Sequence, residues 1–276
     1  MSTQTLPSLP VNLRENKIFI VLHWAPIIFT AGILPLAGYF ALRYGTTLKT
    51  IYILTIWLAL MGVVSVASLA RRSWLLYRQR STFRPLNSRS RWEFDYFNWN
   101  FLVGFIILTV LISVGISSEN LRVVSFPLSV LMLMVCSHMV LFPVLLSMRV
   151  TAPIVVSSIR RGQQLRPATY VITEDVVAVD GGKGQTFRQA WNDRYEVSSA
   201  LRAHLARMDL IWGTSGLAVV AIIWALIFSF TNPEIGYAIG WSVPWIWAGI
   251  MALVIARMSQ NMLRKEQSMV SVSAPQ

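Results

Sequence analysis

Along the chain, long apolar runs alternate with short polar connections or with longer basic ones. A helix crosses the hydrocarbon core of a bilayer with roughly 20 apolar residues. Stretches of that kind run from Ile18 to Leu42, Ile51 to Ala70, Trp99 to Ser117, Val123 to Met148, Leu210 to Phe230 and Ile235 to Ala256. None carries Asp, Glu, Lys or Arg in its middle. The pattern predicts an all-α fold: a polytopic membrane helix bundle of about six transmembrane helices with a small helical cytosolic insert. The expected organisation is a cytosolic N-terminal segment (1–17), four spans (18–148) interrupted by a basic, aromatic loop (71–98), the insert (149–209), two more spans (210–257) and a flexible tail (258–276).

Composition agrees with a bilayer protein. Of the 276 residues, 55% are hydrophobic and 13% charged, about half the usual charged share of a soluble domain. The net charge of +12 could suit nucleic acid. Here, however, the basic residues flank apolar runs, which fits anionic lipid and topology control and argues against a nucleic-acid partner. Counting Lys and Arg by loop puts 21 of the 24 on the side of the termini and the two long loops. Only Arg43, Lys49 and Arg122 fall on the other side. The positive-inside bias therefore places both termini and both long loops in the cytosol of a multi-pass membrane protein. The polar, proline-bearing start does not read as a cleavable signal. A lone cysteine, Cys136, excludes a disulfide framework.

The long loops carry the chemistry worth weighing. In the first, "RPLNSRSRWEFDYFNWNF" mixes arginines with Trp92, Phe94, Tyr96, Phe97 and Trp99. Beside a membrane entry point this reads as a segment lying in the headgroup layer. Glu93 and Asp95 can pair with the adjacent arginines or face a substrate. The second loop contains "EDVVAVDGGKGQ", residues 174–185. Thr173 is suited to cap a helix starting at Glu174 and Asp175, with Gly181 to stop it. Further helices are expected near Thr186 to Tyr195 and from Ser198 or Ser199 into the fifth span.

Glu174, Asp175 and Asp180 are the candidate catalytic acids, in acid/base or cation-binding roles. The alternative is helix capping at the surface and pairing with Arg160, Arg161 or Arg188. Gly181, Gly182 and Gly184 are candidates for an anion nest, with an ordinary turn as the alternative. Neither the nucleotide-hydrolase loop nor the dinucleotide fingerprint has its spacing here. His23 and His138 lie within apolar spans and are candidate cofactor-binding residues. The alternative is hydrogen bonding to Ser, Thr or a carbonyl freed by proline, and the purified protein is expected to be colourless. His204 is expected to be solvated or interfacial. No motif calls for a cofactor, and no metal-ligand spacing occurs. Trp241, Trp245 and Trp247 read as interface anchors. Gly236 and Gly240 form a G-x-x-x-G pair that serves packing within the chain or a homo-oligomer.

The blocks "RWEFDYFNWNF", "YVITEDVVAVDGGKGQTFRQAWNDRYEVSS" and "IGYAIGWSVPWIWAG" resemble a group of multi-pass membrane proteins of filamentous fungi, over roughly residues 15–260. Lys183 stands where the group's pattern leads one to expect another glycine. Some members are encoded beside secondary-metabolite genes. The resemblance implies an accessory component of specialised metabolism. A membrane-bound enzyme acting on a lipophilic small molecule and a small-molecule transporter or channel are the competing readings. The partners expected are membrane lipids and such a small molecule.

Overall fold

The computed structural model describes Ala25, residues 28–78 and residues 81–272, with side chains up to Glu266. The described residues form an all-α polytopic bundle. A π-helical turn, Phe29–Ile33, leads into α1 (Leu34–Gly45), followed by α2 (Thr50–Tyr77) and α3 (Tyr96–Ser117). A single turn, α4 (Leu121–Val124), precedes α5 (Pro127–Ser147). Next come α6 (Ala168–Asp175), a second π turn (Val176–Asp180) and α7 (Gly184–Val197). The chain ends in α8 (Ser199–Ser229) and α9 (Pro233–Val272). Among the described residues, five helices are long and apolar enough to cross a membrane: α2, α3, α5, α8 and α9. Much of the first expected span, 18–42, lies outside the described residues.

The most extensive helix pairing, α5 with α8, rests on two glycines of α8. A Cβ at Gly216 would meet Cys136 Sγ at 2.2 Å, and one at Gly213 would meet Val140 Cγ2 at 2.6 Å. Bare backbone lets the helices approach where lipid offers no hydrophobic drive for association. Gly240 of α9 does the same against α4, where an added Cβ would lie 2.0 Å from the carbonyl oxygen of Ser125. That half of the G-x-x-x-G pair thus packs within the chain. Trp241, expected at the membrane interface, is instead buried at 1% exposure and donates from Nε1 to the Val124 carbonyl at 2.9 Å. Its burial reflects the close approach that Gly240 permits one position earlier.

The connections are clasped at both ends of the bundle. At the short-loop end, Glu234 accepts from Arg43 Nε at 3.0 Å, Tyr44 Oη at 2.7 Å and Tyr39 Oη at 3.3 Å. Arg122 donates to the carbonyls of Phe230 and Thr231 there. At the other end, the chain between α5 and α8 folds into a cap. The cap's core joins Tyr170, Val171, Phe187, Trp191 and Leu205 to Met139 and Phe142 of α5. Arg194 of α7 and Ser198 both donate to Glu266, which ties α9 to this cap.

The first cap helix corrects the expected one. It begins at Ala168 after Pro167, six residues before Glu174. Its N-terminal amides are capped from another helix: Asp209 of α8 accepts from Ala168 N–H at 2.6 Å and Thr169 N–H at 2.8 Å, and from the Thr169 hydroxyl. A carboxylate at a helix's positive end satisfies orphan donors and favours the local dipole. Glu174 and Asp175 therefore close this helix. The second and third cap helices lie where the pattern placed them, with Ser198 capping α8 through Leu201 N–H at 3.0 Å. His204, expected to be solvated or interfacial, is buried, with Nε2 3.0 Å from Ser259 Oγ.

Candidate functional site

The three candidate acids meet at one place: Glu174, Asp175 and Asp180 surround two arginines. Arg188 of α7 points its Nη1 at Glu174 Oε1 (2.9 Å) and Asp175 Oδ1 (2.7 Å). Its Nη2 lies 3.3 Å from Asp95 Oδ2 and donates to the Phe83 carbonyl at 3.1 Å. Arg72, in the extra turns of α2 beyond the expected span, donates from Nη2 to Asp95 Oδ2 at 2.7 Å. It also donates to the Asp175 carbonyl at 3.2 Å, and its Nη1 pairs with Asp180. The Arg72 guanidinium sits over the Phe97 ring, 4.7 Å from its centroid. Four segments distant in sequence are thus cross-braced.

The same acids complete the start of α3. Asp95 accepts from Asn98 N–H at 2.8 Å, Asp175 from Phe97 N–H at 3.1 Å, and Ser157 from Tyr96 N–H at 2.9 Å. Ser157 in turn donates to Asp175 at 2.5 Å, and Ser158 donates to Glu174. Asp95, Glu174, Asp175 and Arg188 are all fully enclosed, at 0% exposure. Asp95 and Glu174 therefore do not take the headgroup-layer and surface-capping places expected of them. The aromatic loop splits instead: Trp92 and Trp99 stay exposed, while Asp95 turns inward.

Burial sets the electrostatics. Glu174's carboxyl is raised above the usual carboxylate range, chiefly by loss of water, against the pull of Arg188. Desolvation and the nearby Asp175 charge push Asp95 up to about 7, against Arg72 and Arg188. For Arg188, burial works against the charge, but Asp175, Glu174 and Asp95 outweigh it and hold the guanidinium above its ordinary value. Four carboxyls share two guanidiniums, and Glu174 Oε2 is enclosed with no partner. The chemistry this arrangement supports is ion pairing and helix capping, with the surplus of acids over cations favouring bound protons. Among the described residues, no group of three His, Cys, Asp or Glu could hold a metal ion.

The glycine loop is spent on turn closure. Gly181 N–H donates to Val176 O at 3.0 Å, Gly182 N–H to Val179 O at 3.2 Å and Lys183 N–H to Val177 O at 3.4 Å. These amides end the π turn. Gly184 has φ +59°, and a Cβ there would meet the Thr82 carbonyl oxygen at 2.8 Å. Only glycine fits that close approach without strain. Gln185 N–H then donates to the same Thr82 carbonyl at 2.7 Å, fastening the cap to the loop after α2.

Of the histidines, His23 lies outside the described residues. His138 sits on α5 in a T-shaped contact with Tyr96, ring centroids 5.9 Å apart. Sequence reasoning missed Arg72, Asp95 and the two serines as members of the cluster. Asp209 and Glu266 were missed as clasps. Arg72 was assigned to a loop because the apolar run ends at Ala70, although α2 continues for two further turns.

A family model described as a domain of unknown function, DUF8766, matches residues 2–270. The chain belongs to this family. Neither the curated proteins nor the solved structures contain a match.

Proposed function

We propose that the protein is a non-catalytic, multi-pass membrane component, an accessory part of specialised metabolism in filamentous fungi. One observation carries the non-catalytic reading: the acids that an enzyme would use, Glu174 and Asp175, are enclosed and ion-paired with Arg188, with Asp180 held by Arg72. Asp175 is engaged by Arg188, Ser157 and the Phe97 amide, and Glu174 by Arg188 and Ser158, and neither has any exposure through which a substrate could reach it. The metabolic setting rests on the sequence resemblance alone. The distribution of Lys and Arg supports a cytosolic cap and cytosolic termini.

The test uses membrane extract from a deletion strain as the pool of lipophilic intermediates. Purified protein in lipid is incubated with this extract, and the products are followed by mass spectrometry. No compound should be consumed. Consumption that disappears in a folded Glu174→Gln variant would instead establish an enzyme. Accumulation of a compound inside sealed proteoliposomes would establish a transporter.

A further inference from the structure

Away from the buried cluster, an open groove of about 690 Å³ runs along the cap where it meets the end of α5. Its walls include Leu146, Gln163, Gln164, Arg166, Glu196 and Arg202. Leu146 belongs to the last turn of a span, so the groove's lining joins apolar surface to guanidinium groups.

Arg166 is held ready. Its guanidinium carbon lies 4.7 Å from the Tyr170 ring centroid and 4.9 Å from that of Tyr195. Nη1 donates to Tyr170 Oη at 2.5 Å. Stacking of this kind fixes the plane of the fork before any ligand arrives, and a fixed fork matches the oxygens of phosphate. Arg202 is positioned through Nη1, which donates to the carbonyls of Tyr195 (2.8 Å) and Glu196 (2.7 Å). A guanidinium has five N–H donors, so both arginines keep donors beyond these bonds.

Glu196 fills the remaining place. Its carboxylate accepts from Arg166 Nη2 at 2.6 Å, yet its side chain is 60% exposed. A surface ion pair of this type contributes little and is readily exchanged. The Glu196 carboxylate stands where an external anion would bind. We propose that this groove binds the phosphate of an anionic lipid headgroup, which displaces Glu196 from Arg166 and adds Arg202, while Leu146 borders the acyl chains. Basic pockets beside spans are a recognised way of holding such headgroups. The site is independent of the non-catalytic reading, because it shares no residue with the Arg72–Arg188 cluster.

The test titrates the purified full chain in detergent with short-chain phosphatidate and with short-chain phosphatidylcholine, and retained lipid is counted by native mass spectrometry. Phosphatidate should bind at least about tenfold tighter, the worth of one hydrogen bond to a charged group. Arg166→Gln and Arg202→Gln should each remove most of that preference. Lys49→Gln, exposed at the opposite, short-loop end of the bundle, should leave it unchanged. Glu196→Gln, exposed and no threat to folding, should tighten phosphatidate binding severalfold. Equal retention of the two lipids would overturn the proposal, as would unchanged binding in Glu196→Gln. Glycerol phosphate competing as well as phosphatidate would assign the site to a soluble phosphate compound and overturn the lipid reading.

Discussion

The two ends of the bundle solve the same problem in different surroundings. At the short-loop end, Glu234 gathers Arg43, Tyr44 and Tyr39, with Arg43's side chain 44% exposed. At the cap, Arg188 and its acids have no exposure at all. The partners are chemically alike, but water is present at one end and excluded at the other. In water the charges are already well solvated, so the exposed clasp adds little beyond orientation. Without water, every group depends on its partner, and losing one strands the others. The teaching is that the cap is all-or-none, whereas the opposite clasp can be loosened piecemeal.

The largest effect should come from Arg188→Met. It leaves Glu174, Asp175 and Asp95 short of one shared cation, so the loss should be about 3–5 kcal/mol, read by thermal unfolding in detergent. A loss no greater than that of Arg43→Met would erase the distinction between the ends. Asp209→Ala comes next, because it uncaps α6 within the same folded unit. The expected cost is about 1–2 kcal/mol, with protease cutting increased between residues 160 and 180.

The pH response should also separate the two ends. Glu174 and Asp95 have raised affinities for protons in the fold, so the folded state binds more protons than the unfolded chain through this window. Through Asp95, stability should therefore fall as pH rises from the ordinary Asp value of 3.8 towards about 7, and Glu174 adds a loss of the same sign. Asp95→Asn removes one of those protons, so its melting temperature should vary less over that range. A slope identical to that of the parent protein would place the titration elsewhere. Glu234→Gln should have the smallest effect, a slight shift in melting with the cap's protease resistance intact.

How far the sequence could be read follows the same division. Apolar runs reveal spans because lipid exposure demands them residue by residue, and so Thr50–Tyr77 and Tyr96–Ser117 overlap the expected segments closely. The cap was less legible. Its first helix starts at Ala168 because Asp209, some 40 residues away, supplies the cap, and no local pattern records such a partner. Glu174 and Asp175 could be singled out as unusual, and Arg188 as one possible partner. That they are enclosed depends on Arg72 and Asp95, which only the folded cap brings near. Gly213 and Gly216 read as ordinary glycines until Cys136 and Val140 are seen against them.

The clasp between Arg194 and Glu266 has a further meaning for how the chain threads its bilayer. Two touching side chains cannot belong to opposite leaflets, so the stretch joining them must traverse an even number of times, as α8 and α9 do. The bond from Arg72 to Asp180 imposes the same parity on α3 and α5. Sidedness within the molecule is thus written in contacts as well as in charge counts, and a helix of either hairpin that failed to cross would part the clasp around that hairpin.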